Sequence, residues 1–185
     1  MNLENIESVL EKRAKNLILL KSQKENILNC AKLIKSALDE GNKVILCGNG
    51  GSASDCNHLA CEFVSKFQKE RKSLPAISLS ANNSILTAVG NDYSFDDIFS
   101  RQIEGLGNKN DVLIAISTSG KSKNILKAIK QAKNQGLKVI FLTGLNKTKQ
   151  NVDIEINTPS KTTCEIQEMH IALGHIICEI IENNL

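Results

Sequence analysis

The sequence predicts an α/β protein in which helices cover both faces of a parallel sheet. Three observations carry that expectation. Apolar runs of strand length recur along the chain, segments with helical spacing separate them, and small-residue turns follow them. A length of 185 residues suits one domain with a sizeable core and is short for two.

The elements follow in order. From Asn5 to Leu38 the apolar positions Ile6, Leu10, Leu17, Leu20, Ile27, Ala31, Ile34 and Leu38 recur at helical spacing, without proline or glycine, which predicts two helices or one bent one. Gly41 stops the pattern, and Lys43–Cys47 reads as a buried parallel strand. Pro75–Leu79, Asp111–Ile116 and Lys138–Leu142 repeat the theme, each after a helical segment. Val152–Ile156 alternates and is expected at a sheet edge. Cys164–Asn183 returns to helical spacing and closes the chain. The expected organisation is one domain over residues 1–185, with residues 1–40 a helical segment that packs on the domain or on a neighbouring subunit.

Composition narrows the function classes. A formal charge of +3, with lysines and acids interleaved and six aromatic side chains in all, gives no electrostatic stripe and few stacking platforms, so nucleic acid is not an expected partner. Charged residues interrupt the stretch Met1–Leu20, and no run approaches the roughly 20 apolar residues of a membrane span, so export and membrane insertion are not expected either. The six cysteines contain no Cys-x-x-Cys pair and are expected as free thiols in a reducing cytoplasm, each a small buried hydrophobe by default. A small molecule is the expected partner.

In an open parallel sheet, ligands bind beyond the carboxyl ends of the strands, where loops lead into helix N-termini. Two such loops have unusual composition: Gly48-Asn49-Gly50-Gly51-Ser52-Ala53-Ser54 after the first strand, and Ser117-Thr118-Ser119-Gly120-Lys121-Ser122 after the third. The second places four hydroxyl side chains and a glycine in six residues, which suits a phosphate monoester. Simple helix capping and a turn would also account for it. Neither loop matches the nucleotide triphosphate or dinucleotide patterns.

His58 and Glu62 are four residues apart and share a helix face, and Gln167, Ile171 and His175 fall on roughly one side of the last helix. A carboxylate and an imidazole can divide the work of moving a proton between adjacent carbons, and His58 with Glu62 can equally ligate a divalent metal. Taken singly, Glu62 also reads as a solvated helix carboxylate and each histidine as structural. His170 is expected to be a packing or hydrogen-bonding residue.

Together these residues resemble the sugar isomerase (SIS) domain family, and within it most closely the bacterial phosphoheptose isomerases. The resemblance rests on Cys47-Gly48-Asn49-Gly50-Gly51-Ser52, His58-Leu59-Ala60-Cys61-Glu62, Val89-Gly90-Asn91-Asp92, Ile116-Ser117-Thr118-Ser119-Gly120-Lys121-Ser122 and Ile166-Gln167-Glu168-Met169-His170, in order along the whole chain. It implies a three-layer, flavodoxin-like sandwich with a central five-stranded parallel sheet, and a cytoplasmic homotetramer with active sites between subunits. The implied reaction converts sedoheptulose 7-phosphate to D-glycero-D-manno-heptose 7-phosphate through an enediol, for the heptose of lipopolysaccharide or capsule. Asn49, Gly50, Gly51, Ser52, Asn91, Asp92 and Gln167 would contact the substrate, and Ser117, Thr118, Ser119 and Ser122 would hold its phosphate. Glu62 would be the general base and His175 the general acid. The resemblance further implies zinc on His58, Glu62, Gln167 and His175, although Gln167 and His175 stand roughly 12 Å apart along a helix axis.

The chain departs from the family pattern at three places. Ser65-Lys66-Phe67 replaces a Gly-Arg-Tyr-like run, Leu145–Gln150 replaces a glycine-rich turn, and Glu165 stands where arginine is common. Two alternatives share the fold: a non-catalytic protein that associates with a replication initiator, and a different sugar-phosphate enzyme such as a muramic acid phosphate etherase or a hexose or pentose phosphate isomerase. The presence of both Glu62 and His175 argues against the first.

Overall fold

A computed structural model describes residues 3–185. Helix α1 (Leu3–Leu19) runs through a single 3-10 turn at Leu20–Gln23 into α2 (Lys24–Asp39), so the opening helical pattern is two helices with a tight joint. The chain then alternates through β1 (Val44–Gly48), α3 (Gly51–Val64), β2 (Ala76–Ser78), α4 (Asn83–Asp92), a 3-10 turn at Phe95–Asp97, α5 (Ser100–Leu106), β3 (Val112–Ser117), α6 (Lys123–Asn134), β4 (Lys138–Thr143), β5 (Ile154–Asn157) and α7 (Thr163–Glu182). All five strands pair in parallel, in the order β2-β1-β3-β4-β5. This is the expected fold, with the expected edge strand at β5.

The central strands are apolar on both sides because both sides are covered. Val44 and Leu46 of β1 pack with Val112, Ile114 and Ile116 of β3 against α2, α3 and α7, through Ile34, Leu59, Phe63, Leu173 and Ile177. The alternate residues Ile45, Cys47, Leu113, Ala115, Val139 and Phe141 face α5 and α6, through Ile103, Ile125, Ala128 and Ile129. One residue of slip in any strand would exchange these two cores, so the register is fixed by burial on both faces.

At the amino ends of the strands the polar groups pair with one another. The Asp111 carboxylate, 1 % exposed, accepts the backbone N–H of Lys43 at 3.0 Å and that of Asn108 at 2.7 Å, and forms an ion pair with Lys43 Nζ. Asp153 accepts the Val139 N–H and Lys133 Nζ, each at 2.7 Å. That engagement is one reason β5 begins at Ile154 and not at Val152, as the alternation predicted.

The default burial of the cysteines is corrected at two positions. Cys61 and Cys164 are exposed, whereas Cys30, Cys47, Cys56 and Cys178 are buried as expected; all six are free. Cys61 lies on the outer face of α3 and Cys164 in the first turn of α7, where no layer covers them. Glu165 is buried and takes Lys12 Nζ at 2.7 Å, Arg13 at 2.9 Å, Asn16 Nδ2 at 2.9 Å and the Ser160 hydroxyl at 2.7 Å. Its departure from the family pattern therefore serves to pin α1 onto the start of α7.

Candidate active site

The strand order reverses direction between β1 and β3, and ligands of open α/β sheets sit at that crevice. Both unusual loops leave the sheet there. They are tied together by an amide pair: Asn49 Nδ2 donates to Asn124 Oδ1, and Asn124 Nδ2 donates back to Asn49 Oδ1, both at 2.9 Å. Asn124 is 2 % exposed and escaped the sequence reading, since nothing in the first turn of a lysine-rich helix marks it. With its side chain so engaged, Asn49 fixes the geometry of the crevice as well as lining it.

The hydroxyl-rich loop is not explained by capping of α6. Ser122 occupies the N-cap position without a side-chain capping bond, and its hydroxyl instead meets that of Ser117 at 3.1 Å. Ser119 Oγ accepts the Lys121 N–H at 3.2 Å and closes the loop on itself. Hydroxyls are thus gathered beside the N-terminus of a twelve-residue helix, where the helix dipole favours an anion. A concavity of about 260 Å³ has Thr118, Ser119 and Lys121 on one wall and Ser160 and Lys161 on another. Another, of about 510 Å³, runs along α6 beside Lys123, Lys127 and Lys130 and touches neither loop nor the acid-base residues.

In the other loop, Gly50 has φ +56°, a conformation that side chains rarely adopt. The carboxamide of Gln167 lies so close to Gly51 that a Cβ there would overlap it. Helices α3 and α7 run side by side from that contact, and Gly174 meets Leu59 just as closely further along. The next residue of α7 is His175.

There the candidate acid and base come together. His175 Nε2 is 2.8 Å from His58 Nε2, with ring centroids 5.0 Å apart, and Glu62 Oε1 is 3.4 Å from the same His58 nitrogen. Glu62 is largely shielded, its side chain 17 % exposed, while that of His58 is 47 % exposed. Asp55, three residues before His58 and seven before Glu62, lies on the same face of α3, a spacing that the sequence offered and that went unread. Its Oδ2 is buried without a hydrogen-bond partner among the described residues. Burial pushes the Asp55 carboxyl up to about 6, against a pull downward from His58.

The donor set tests zinc. Two imidazole nitrogens and a carboxylate converge, which suits zinc in kind, but tetrahedral Zn–N bonds of about 2.0–2.1 Å would hold the nitrogens about 3.3 Å apart. At 2.8 Å they hydrogen-bond to each other. Gln167 lies at Gly51, seven residues and about 10 Å up α3 from His58, on the loop side of the site. Among the described residues no group of three or more His, Cys, Asp or Glu is arranged to hold a metal ion. His58, Glu62 and His175 are zinc ligands in kind, but the two nitrogens would have to part by about 0.5 Å to share the ion, and within one chain Gln167 lies against Gly51.

Asn91 and Asp92 stand exposed at the far end of the ten-residue α4, where Asn91 Nδ2 donates to Asp92 Oδ1 at 2.8 Å. No hydrogen bond links them to the two loops among the described residues. Buried His170 behaves as expected: its Nε2–H donates to the Thr143 carbonyl at 3.1 Å, and burial pulls its pKa down to about 4.

A family model described as "SIS domain" matches residues 10–144. The chain belongs to the SIS domain family. This SIS chain is 53 % identical over 150 residues to a phosphoheptose isomerase of Nitratiruptor sp., covering 80 % of each chain. It is 45 % identical over 183 residues to that of Aquifex aeolicus, covering 97 % of this chain and 96 % of the relative. Its fold superposes on the structure of a phosphoheptose isomerase from Francisella tularensis with a TM-score of 0.91 at 38 % identity, covering 99 % of this chain and all of that one.

Proposed function

We propose that this protein is a phosphoheptose isomerase that interconverts sedoheptulose 7-phosphate and D-glycero-D-manno-heptose 7-phosphate. The observation that carries the reading is the convergence of Glu62 and His175 on His58 Nε2, across the two helices α3 and α7 that lead away from the loop end of the sheet. Relatives of 44–53 % identity bearing the same activity in their names support it, and they do not favour the non-catalytic alternative.

In the forward direction Glu62 removes a proton from C1 of the ketose while His175 gives one to the carbonyl oxygen at C2, forming an enediol. Return of a proton to C2 and loss of the one on O1 leaves the aldose, with no change in overall oxidation state. Ser117, Thr118, Ser119 and Ser122 hold the phosphate at the head of α6, and Asn49, Gly50, Gly51, Ser52 and Gln167 line the path from there towards Glu62. Asn91 and Asp92 complete the sugar site from α4.

Zinc is the proposed cofactor, on His58, Glu62 and His175, with Gln167 joining from the loop side or from another subunit. Bound there, it would polarise the substrate oxygens. It competes with the proton-transfer roles for the same atoms, because a ligating carboxylate is a poorer base and a ligating imidazole nitrogen carries no proton. Proton transfer by Glu62 and His175 is therefore the primary reading.

The proposed assembly is a homotetramer with sites between subunits, in the cytoplasm. No described residue of α1 is buried, and Leu3, Ile6, Val9, Leu10, Leu17 and Ile18 are exposed along it. Such a face calls for another subunit. No helix among the described residues is long and apolar enough to cross a membrane.

The test is turnover of sedoheptulose 7-phosphate by the purified protein, with and without added zinc, followed by NMR of the product. Formation of the heptose 7-phosphate supports the reading. No turnover under either condition, together with tight binding of a replication initiator, overturns it.

A further inference from the structure

The segment that follows α3 is held by a device that the proton-transfer roles leave unexplained. Glu182, the last residue of α7, turns its carboxylate into a nest of backbone donors: Oε1 accepts the Phe67 N–H at 3.0 Å, and Oε2 accepts those of Gln68 at 2.7 Å and Lys69 at 2.8 Å. Arg71 Nε donates to Oε1 at 3.1 Å, and the two side chains are only 9 % and 4 % exposed. Burial works to raise the Glu182 pKa, but the bonds from Gln68, Lys69 and Phe67 and from Arg71 outweigh it and hold it below the usual carboxylate range.

Arg71 reaches the other way as well. Its guanidinium donates to the carbonyl of Glu62 at 2.6 Å, of Phe63 at 2.9 Å and of Lys72 at 3.0 Å, closing the end of α3 that carries the base. Phe67, whose N–H is held by Glu182, lays its ring 5.5 Å from that of His175, at an interplanar angle of 39°. One buried ion pair thus touches the backbone of the base on one side and, through one aromatic ring, the acid on the other. Together with the close contact of Gly174 and Leu59, it fixes α3 against α7 at two points that flank the acid-base pair.

We propose that Arg71 and Glu182 are positioning residues for the isomerisation, their buried pair setting where Glu62 and His175 stand relative to each other. The proposal rests on the reading that those two groups move the proton. A displacement of about 1 Å at the reacting groups can cost about 100-fold in rate without touching binding, so the effect belongs in kcat.

The experiment compares Glu182→Gln, Phe67→Leu and Asp111→Asn with the wild type, as intact oligomers, each assayed well below its own melting midpoint. The carboxamide introduced by Glu182→Gln must present an amide N–H₂ to donors, whereas Phe67→Leu keeps the backbone bonds and removes only the ring beside His175. Asp111→Asn breaks a buried ion pair that has no bond to the acid-base residues among those described, and reports what lost stability alone does. The expected result is a fall in kcat of at least about 10-fold for Glu182→Gln and about 3-fold for Phe67→Leu, with KM within about 2-fold, and an unchanged kcat for Asp111→Asn. If Glu182→Gln melts earlier but keeps the wild-type kcat, or raises KM alone, the pair is a stability or binding device and the proposal is overturned. Where Glu182→Gln does not fold, Phe67→Leu decides by the same criterion. The underlying reading is checked separately by Glu62→Gln and His175→Gln: full activity in either sinks it, whatever Glu182 does.

Discussion

At the amino ends of the strands, Asp111 and Asp153 meet lysines and backbone N–H groups, and each carboxylate is answered inside the chain. At the carboxyl-end loops, and along the α3–α7 seam that leads away from them, the residues are also polar and also partly buried, but they are answered less completely. Ser122 caps nothing, Asp55 keeps a buried oxygen without a partner among the described residues, and two imidazoles and a carboxylate crowd one another. Saturated polar groups hold a fold together, whereas groups left with unused donors and acceptors are available to a ligand. The molecule thus has a structural set at the amino ends of β3, β4 and β5 and a chemical set on the loops and along the α3–α7 seam, and substitutions in the two should separate stability from activity.

The largest separation is expected at Glu62. Glu62→Gln should lower kcat by about 1,000-fold, within the range general bases contribute, while calorimetric binding of the sugar phosphate persists and the melting midpoint moves little. Asp111→Asn should do the reverse. Leaving Lys43 without its buried partner should cost about 3–5 kcal/mol by denaturant titration, with kcat unchanged in the folded protein.

His170 sits under the loops at the carboxyl end of β4 but belongs with the structural set, and pH should show it. Its pKa is pulled down to about 4 in the fold from an ordinary 6.5, so the unfolded chain binds the extra proton first. Stability is therefore full above about pH 6.5 and is lost as pH falls from there towards about 4, by up to about 3 kcal/mol. A His170→Gln variant should show a flatter pH dependence in urea melts. The smallest expected effect is at Ser122→Ala, where loss of one hydrogen bond to a charged phosphate should raise KM about 10-fold and leave kcat nearly unchanged.

The architecture was legible because its signals are local. Runs such as Val112–Ser117 are apolar on both faces, and the breaks at Gly41 and after Ser117 follow from turn chemistry, so strand positions were off by only a residue or two. Residues acting through neighbours in sequence were legible too: His58 with Glu62 by helical spacing, and the hydroxyl loop by composition. What could not be read were contacts between distant segments. Nothing near Asn124 announces its amide pair with Asn49, nothing near Glu182 announces the backbone N–H groups of Phe67 to Lys69, and the family departure at Glu165 explains itself only once Lys12 and Arg13 are seen beside it.

The central claim is that the carboxylate of Glu62 moves the proton between C1 and C2. Its most direct measurement is NMR of the reaction run in deuterium oxide, following entry of solvent deuterium into the carbon-bound positions of substrate and product. Wild-type protein is predicted to introduce deuterium at these carbons as it forms the heptose 7-phosphate, and Glu62→Gln, still binding the sugar phosphate, to introduce none on the same timescale. Deuterium entry at the wild-type rate in Glu62→Gln would contradict the account.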